Sequence, residues 1–126
     1  MRIEWTDQFD AYLSRVEEDA DSDAKAARRL VFLGALLTAV RDLDEPPTSE
    51  TATFKRVRQS RRIPLWRVAH PYDPLVAVRL IIWFPSVEYA VLVVAGFDKA
   101  GVGDVWYDRV VAESGPIVAA WMRAHQ

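Results

Sequence analysis

The first third of the chain repeats apolar residues at helical spacing. The opening run RIEW, residues 2–5, predicts a short strand, and Thr6 after it predicts the N-cap of a helix. One face of that helix is apolar and the other is acidic, a pattern that predicts an amphipathic helix packed on a core. The apolar positions are Phe9, Tyr12, Leu13, Val16 and Ala20.

The DSD run at residues 21–23 predicts the start of a second helix. Residues 30–37, LVFLGALL, are apolar on nearly every side, so we expect this helix to be covered on two sides. One cover is a sheet, and the other is either the first helix or a partner protein. Pro46 and Pro47 end the pattern. The predicted apolar stripe is Ala27, Leu30, Val31, Gly34, Leu37 and Val40.

The second half of the chain favours strands. Three segments rich in β-branched and aromatic residues are separated by the short turns PYDP and PS: PLWRVAH, LVAVRLIIWF and VEYAVLVVAGF. Connections this short predict an antiparallel three-strand meander. Alternation places Val76, Val78, Leu80 and Ile82 on one face and Ala77, Arg79 and Ile81 on the other. In the preceding strand it separates Leu65, Arg67 and Ala69 from Trp66, Val68 and His70.

The chain closes on a predicted helix. Ser114 followed by Pro116 predicts its start, and its apolar stripe is Ile117, Val118, Trp121 and Met122. The whole order, a strand, two helices, three strands and a helix, predicts an α+β fold. With 51% hydrophobic residues and no internal repeat, we expect a single domain over residues 1–126.

Composition narrows the chemistry. No run approaches the roughly 18 to 20 apolar residues of a membrane span, and MRIEWTDQFD lacks a signal pattern, so we expect a cytoplasmic protein with no membrane partner. The absence of cysteine excludes disulfides and thiol catalysis, and two histidines argue against a zinc site. We expect no cofactor and no metal. Carboxylates alone can hold Mg²⁺, but the acidic residues here are spread along the first half, which is typical of helix surface.

Charge is distributed unevenly along the chain. The formal net charge is -2, yet residues 51–80 hold seven basic and one acidic side chain, a net +6. Most of these cations lie in FKRVRQSRRIPLWRVAH, residues 54–70. Such a block is either a solvated face or the electrostatic footprint of a surface that meets phosphate. The pattern alone leaves both interpretations open.

The order of elements and three motifs resemble the RelE/HigB-like toxins of type II toxin-antitoxin systems, in the RelE/ParE superfamily. The motifs are FKRVRQSRRIPLWRV, VRLIIWF and VVAGFDKAGVGDVWYDRVV. The chain is especially similar to members that carry a Gly-Asp-Lys motif followed by Trp and Tyr. Here that run is Gly96, Asp98 and Lys99, interrupted by Phe97, with AGVG inserted before Trp106 and Tyr107.

The resemblance implies ribosome-dependent cleavage of mRNA in the ribosomal A site. In that reaction the ribose 2′-hydroxyl attacks the adjacent phosphate and leaves a cyclic phosphate. Arg67 and Arg79 match arginines that stabilise charge, while Lys99 and Tyr107 match residues for proton transfer and for stacking on a base. Lys55 and Arg58 match residues that contact the RNA backbone, and the remaining basic candidates for RNA binding are Arg56, Arg61 and Arg62. A cognate antitoxin is the implied protein partner.

Several alternatives remain open at this level. The same fold can serve as a non-catalytic module that binds nucleic acid or protein. His70 can replace the missing catalytic histidine of some relatives, although alternation points it away from Arg67. Arg79 can pair with Glu88 across the hairpin, and Trp106 and Tyr107 can be core aromatics.

Overall fold

The computed structural model describes residues 1–70, 78–97 and 103–125. These ranges contain three helices and five strands joined by loops. The α+β layout predicted from the sequence is confirmed. The elements are β1 Arg2–Trp5, α1 Asp7–Ala20, α2 Ala24–Arg41, β2 Phe54–Arg56, β3 Leu65–Ala69, β4 Val78–Ser86, β5 Tyr89–Phe97 and α3 Gly103–Ala124.

The strands form one sheet in the order β1-β5-β4-β3-β2. The predicted meander is confirmed, because β3, β4 and β5 pair antiparallel in sequence order. Two strands complete the sheet at its edges: β2 pairs antiparallel with β3, and β1 pairs parallel with β5. The sequence analysis missed β2, since three residues reading FKR are too few and too charged to show alternation.

The starts of the first two helices follow the predicted capping residues. The Thr6 hydroxyl accepts a hydrogen bond from the Phe9 amide at 3.1 Å and donates one to the Val93 carbonyl, so it joins the start of α1 to β5. Asp23 accepts a hydrogen bond from the Lys25 amide at 2.9 Å at the start of α2. Both caps satisfy backbone donors that the first helical turn leaves without partners.

The predicted stripe of α2 is correct at Leu37 and Val40, which lie in or against the core, and wrong at Val31 and Gly34, which are exposed. Val31 is 71% exposed and Gly34 lies on the same outer side, whereas the buried residues of α2 are Ala26, Leu33, Leu36 and Val40. The reason is the composition of LVFLGALL, which is apolar around the whole helix. Periodicity then selects no face, and packing against α1 and the sheet decides which residues are buried.

The sheet has a core on each face, as the alternation of β4 predicts. Leu80 and Ile82 face α1 and α2, where they join Phe9 and Leu33 in one apolar cluster. Ile81 faces the opposite way and joins a second cluster with residues of β3, β5 and α3: Leu65, Val93, Trp106, Val110 and Val118. One sheet face is therefore covered by the helical hairpin and the other by α3.

The closing helix begins at Gly103 rather than at Ser114. Ser114 is fully buried inside α3, and Pro116 lies in the helix interior, where a proline costs roughly 3 kcal/mol through its missing N–H and its ring clash. Burial of the apolar face of α3 against the sheet offsets this cost. As a result, Trp106 and Tyr107 lie in the first two turns of the helix and not ahead of it.

None of the three helices, within the ranges the structure describes, is long and apolar enough to cross a membrane.

Candidate functional site

Three basic side chains form a diagonal row on the α3 side of the sheet. Lys55 of β2 lies directly opposite Arg67 of β3, and Arg67 lies opposite Ile81 of β4. Arg79 is two residues before Ile81 and therefore points to the same face. Diagonal neighbours in a sheet have Cα atoms about 7–8 Å apart, within reach of side chains as long as arginine. The fold thus gathers cations from three separate strands beside one another.

Tyr107 reaches this row from the helix above it. Its hydroxyl lies 3.5 Å from Nη1 of Arg67, at the outer limit of a hydrogen bond. The Tyr107 ring packs edge-on against Trp106, with ring centroids 4.8 Å apart and an interplanar angle of 78°. Trp106 itself is 8% exposed, so a nearly buried indole holds the tyrosine in place.

The close approach of Trp106 to the sheet depends on Gly96. A Cβ added at Gly96 would lie 3.2 Å from Cζ2 of the Trp106 indole, tighter than an ordinary contact. Gly96 is also the register partner of Arg79. The glycine of the recognised motif therefore has a physical role here, because it leaves room for the indole beside the strand. Trp106 is a core aromatic, and Tyr107 is partly buried at the margin of the same cluster.

Arg79 does not pair with Glu88. Glu88 lies beside Ser86 and Tyr89 at the β4–β5 turn, whereas Arg79 lies at the opposite end of the hairpin. The Nη1 atom of Arg79 instead donates to the Val78 carbonyl at 3.0 Å. The interpretation of Arg79 as an ion-pair partner of Glu88 is therefore wrong.

The row carries positive charge without acidic partners. In the described part of the chain, Lys55, Arg67 and Arg79 make no ion pair. The Nε atoms of Arg67 and Arg79 are buried and have no hydrogen-bond partner among the described residues. Leaving a buried charged donor unpaired is costly, so the arrangement favours an anionic ligand bound beside these guanidinium groups.

A cleft of about 290 Å³ opens beside the row. Lys55, Arg67 and Tyr107 line it, together with Glu50 and Arg58 at its outer rim. Glu50 pairs with Arg58 at 3.4 Å, but Arg58 is largely exposed, so this pair is weak. The sequence analysis missed Glu50, which no motif distinguishes from the other acidic residues of its loop.

The remaining basic candidates lie in β2 and in the loop that follows it. Arg56 lies opposite Trp66 in the β2–β3 register, on the face away from Lys55. Its guanidinium lies over the Trp66 indole, 5.3 Å from the ring centroid. Arg56, Arg58 and Arg61 line a groove of about 610 Å³. Arg62 is exposed in the same β2–β3 loop.

Hydrogen bonds hold the loop that carries Arg58, Arg61 and Arg62. The Ser60 amide donates to the Val57 carbonyl at 3.0 Å, and the Ser60 hydroxyl donates to the Ile63 carbonyl. Val57 and Ile63 also pack against the α3-side cluster. Anchored apolar residues therefore alternate with exposed arginines in this loop.

Two further candidates lie away from this cluster. His70 packs edge-on against Phe32 of α2, with ring centroids 5.1 Å apart, so it is on the face opposite to Arg67 and is not its catalytic partner. Lys99 lies outside the described residues. Of the four predicted catalytic residues, the structure brings Arg67, Arg79 and Tyr107 to one side of the sheet.

No group of three His, Cys, Asp or Glu residues that could hold a metal ion occurs in residues 1–70, 78–97 and 103–125.

Comparison of the chain with protein-family models, with curated proteins and with solved structures gave no match.

Proposed function

We propose that this protein is a RelE/HigB-like toxin that cleaves mRNA on the ribosome. The observation that carries the proposal is the row of Lys55, Arg67 and Arg79, which has no acidic partner among the described residues and lies next to the Tyr107 hydroxyl. Cations beside a phosphodiester and a nearby proton-transfer group are what RNA cleavage by internal attack requires.

The reaction proceeds through attack of the 2′-hydroxyl oxygen on the adjacent phosphorus. The P–O2′ bond forms as the P–O5′ bond breaks, the 2′-hydroxyl proton leaves to a general base, and the 5′-oxygen takes a proton from a general acid. Tyr107 serves one of these transfers, and Lys99 is the proposed partner for the other. Arg67 and Arg79 stabilise the extra negative charge on the non-bridging oxygens, a contribution that is typically worth about 10² to 10³ in rate.

The shape of the site supports dependence on the ribosome. The cleft beside Arg67 is small, and it opens onto the protein surface instead of forming an enclosed pocket. Such a site offers charge but few walls that fix the conformation of a flexible strand. Internal attack needs the 2′-oxygen in line with the leaving oxygen, and in this proposal the A site of the ribosome supplies that constraint.

An antitoxin is the proposed protein partner, because a free ribonuclease of this type harms its own cell. The outer side of α2 supports this part of the proposal, since Val31 is 71% exposed there and Gly34 and Ala35 flank it. The basic row on the other face would attract acidic side chains of the same partner.

Purified ribosomes programmed with a defined mRNA test the proposed reaction. The wild-type chain should cut the mRNA only when ribosomes are present, and the upstream product should end in a 2′,3′-cyclic phosphate. A single 2′-deoxynucleotide at the mapped position should abolish that cut, because it removes the nucleophile. Cleavage that survives this substitution would contradict internal attack, and uncut mRNA would favour a module that only binds.

A further inference from the structure

Strand β2 is the last strand of the sheet, and it turns its two cations to opposite faces. Lys55 points to the α3 side with Arg67, while Phe54 and Arg56 point to the side of α1 and α2. No further strand in the described ranges covers the outer side of β2, where the Thr51 amide donates to the Phe54 carbonyl at 2.8 Å. Beyond Phe54 a flexible ligand can pass around β2 from one face to the other.

The groove beside Trp66 has the features of a phosphate-binding surface. Stacking over Trp66 restricts the Arg56 guanidinium and leaves its edge N–H groups available to an anion. Arg61 lines the same groove, and neither arginine has an ion-pair partner within the described ranges. The groove measures about 610 Å³, roughly twice the cleft beside Arg67.

The two depressions are continuous around the sheet edge. Four residues line both the cleft beside Arg67 and the groove beside Trp66: Glu50, Arg56, Val57 and Arg58. Arg58 stands at the junction, with most of its side chain exposed. The cations thus form one band that runs from Arg67 over β2 to Arg61.

We propose that single-stranded RNA bound with a phosphate at Arg67 continues around β2 and places further phosphates at Arg56 and Arg61. This inference rests on the proposed function for the phosphate at Arg67, and it adds a second binding site in the groove beside Trp66. A single strand is the fitting occupant because it can turn around one edge strand, whereas a stacked duplex is stiff and costly to bend.

Binding of uncleavable RNA tests the path. The probes are 2′-O-methyl oligonucleotides of about 4 and about 16 nucleotides, lengths that span the usual range of single-strand sites. Fluorescence anisotropy at several salt concentrations gives the affinity and its salt slope. Wild-type protein should bind the longer probe more tightly and with the steeper slope.

Variants on the two faces should then separate the two parts of the path. Arg56→Gln with Arg61→Gln should reduce the slope for the long probe by about 1.4, since each lost single-strand phosphate contact removes about 0.7. Arg61 lines only the groove, so Arg61→Gln should leave the short probe unaffected, while Lys55→Gln should weaken both probes. Arg61→Gln alone leaves the contact of Arg56 with Trp66 intact and should reduce the slope by about half as much as the double variant. Arg123→Gln on α3 is the matched control.

Equal losses for both probes, or no loss for either, would overturn the path around β2. These measurements do not depend on cleavage, so the two proposals fail separately. A chain that does not cut mRNA but shows the length-dependent loss would refute the ribonuclease and retain the RNA path. A chain that cuts mRNA but shows no length-dependent loss would support the ribonuclease and refute the RNA path. A 16-base-pair RNA duplex serves as a further probe. If substitution of Arg56 and Arg61 weakened binding of the duplex as much as binding of the single strand, the path would also be refuted.

Discussion

The hydroxyl of Tyr107 in α3 lies 3.5 Å from Nη1 of Arg67 in β3, across 40 residues of sequence. This contact places a group that can carry a proton beside a group that can stabilise a phosphate. It exists because Trp106 is seated against Gly96 and fixes the neighbouring tyrosine. Changes to any of these four residues should therefore affect the site in distinguishable ways.

Gly96→Ala should impair cleavage through Trp106. The new Cβ would crowd the indole at 3.2 Å, so the ring and the adjoining Tyr107 must shift. We expect a rate loss of roughly tenfold, since a misplacement of about 1 Å in a catalytic group can cost up to about 10²-fold. Single-turnover cleavage on ribosomes measures the rate, and near-ultraviolet circular dichroism reports the aromatic packing. An unchanged rate with a changed aromatic signal would show that Tyr107 has no part in catalysis.

Tyr107→Phe should remove one of the two proposed proton-transfer groups and keep the packing. The ring still contacts Trp106, and the lost hydrogen bond is long, so the free energy of unfolding should change by less than about 1 kcal/mol. Cleavage should slow by about 10² to 10⁴, the usual contribution of general acid-base catalysis. Urea unfolding and single-turnover kinetics measure the two quantities. A variant that cuts at the wild-type rate would reduce Tyr107 to a packing residue.

Arg79→Ala should abolish most activity and leave the fold intact. Arg79 has no acidic partner among the described residues, so its removal leaves none of their carboxylates unpaired, and cooperative thermal unfolding should persist. The cleavage rate should fall by about 10² to 10³. Glu88→Gln is the matched control: it should change neither rate nor midpoint. A loss of stability shared by both variants would restore the ion pair across the hairpin.

Gly34→Ala tests the corrected orientation of α2. Gly34 is exposed in the helix interior, and no atom lies within 4 Å of the Cβ that alanine would add. Alanine is the better helix former by about 1 kcal/mol, so the substitution should stabilise the protein by about that amount. The predicted stripe, which placed Gly34 against the core, implies overpacking and a loss of stability instead. The urea midpoint distinguishes the two.

The sequence predicts the sheet faces well because alternation is a local property. Leu80, Ile81 and Ile82 are sorted correctly by period alone, and the same rule places Arg67 and Arg79 on one face. Alternation also separates His70 from Arg67. Local rules fail where tertiary packing determines the structure. Packing against neighbouring elements determines which face of α2 is buried. Similarly, α3 continues through Pro116 because its apolar side is buried. The contact of Tyr107 with Arg67 depends on that longer helix, so no sequence pattern predicts it.

Mapping mRNA 5′ ends in bacteria after induced expression tests whether mRNA cleavage depends on the cations of the α3 face. Wild-type chain should arrest growth and produce new 5′ ends within translated frames. Arg67→Ala should relieve both effects while remaining folded, whereas Arg123→Ala, an exposed arginine near the far end of α3, should behave as wild type. Harmless accumulation of the wild-type chain with no new 5′ ends, or equal cleavage by Arg67→Ala, would contradict the account.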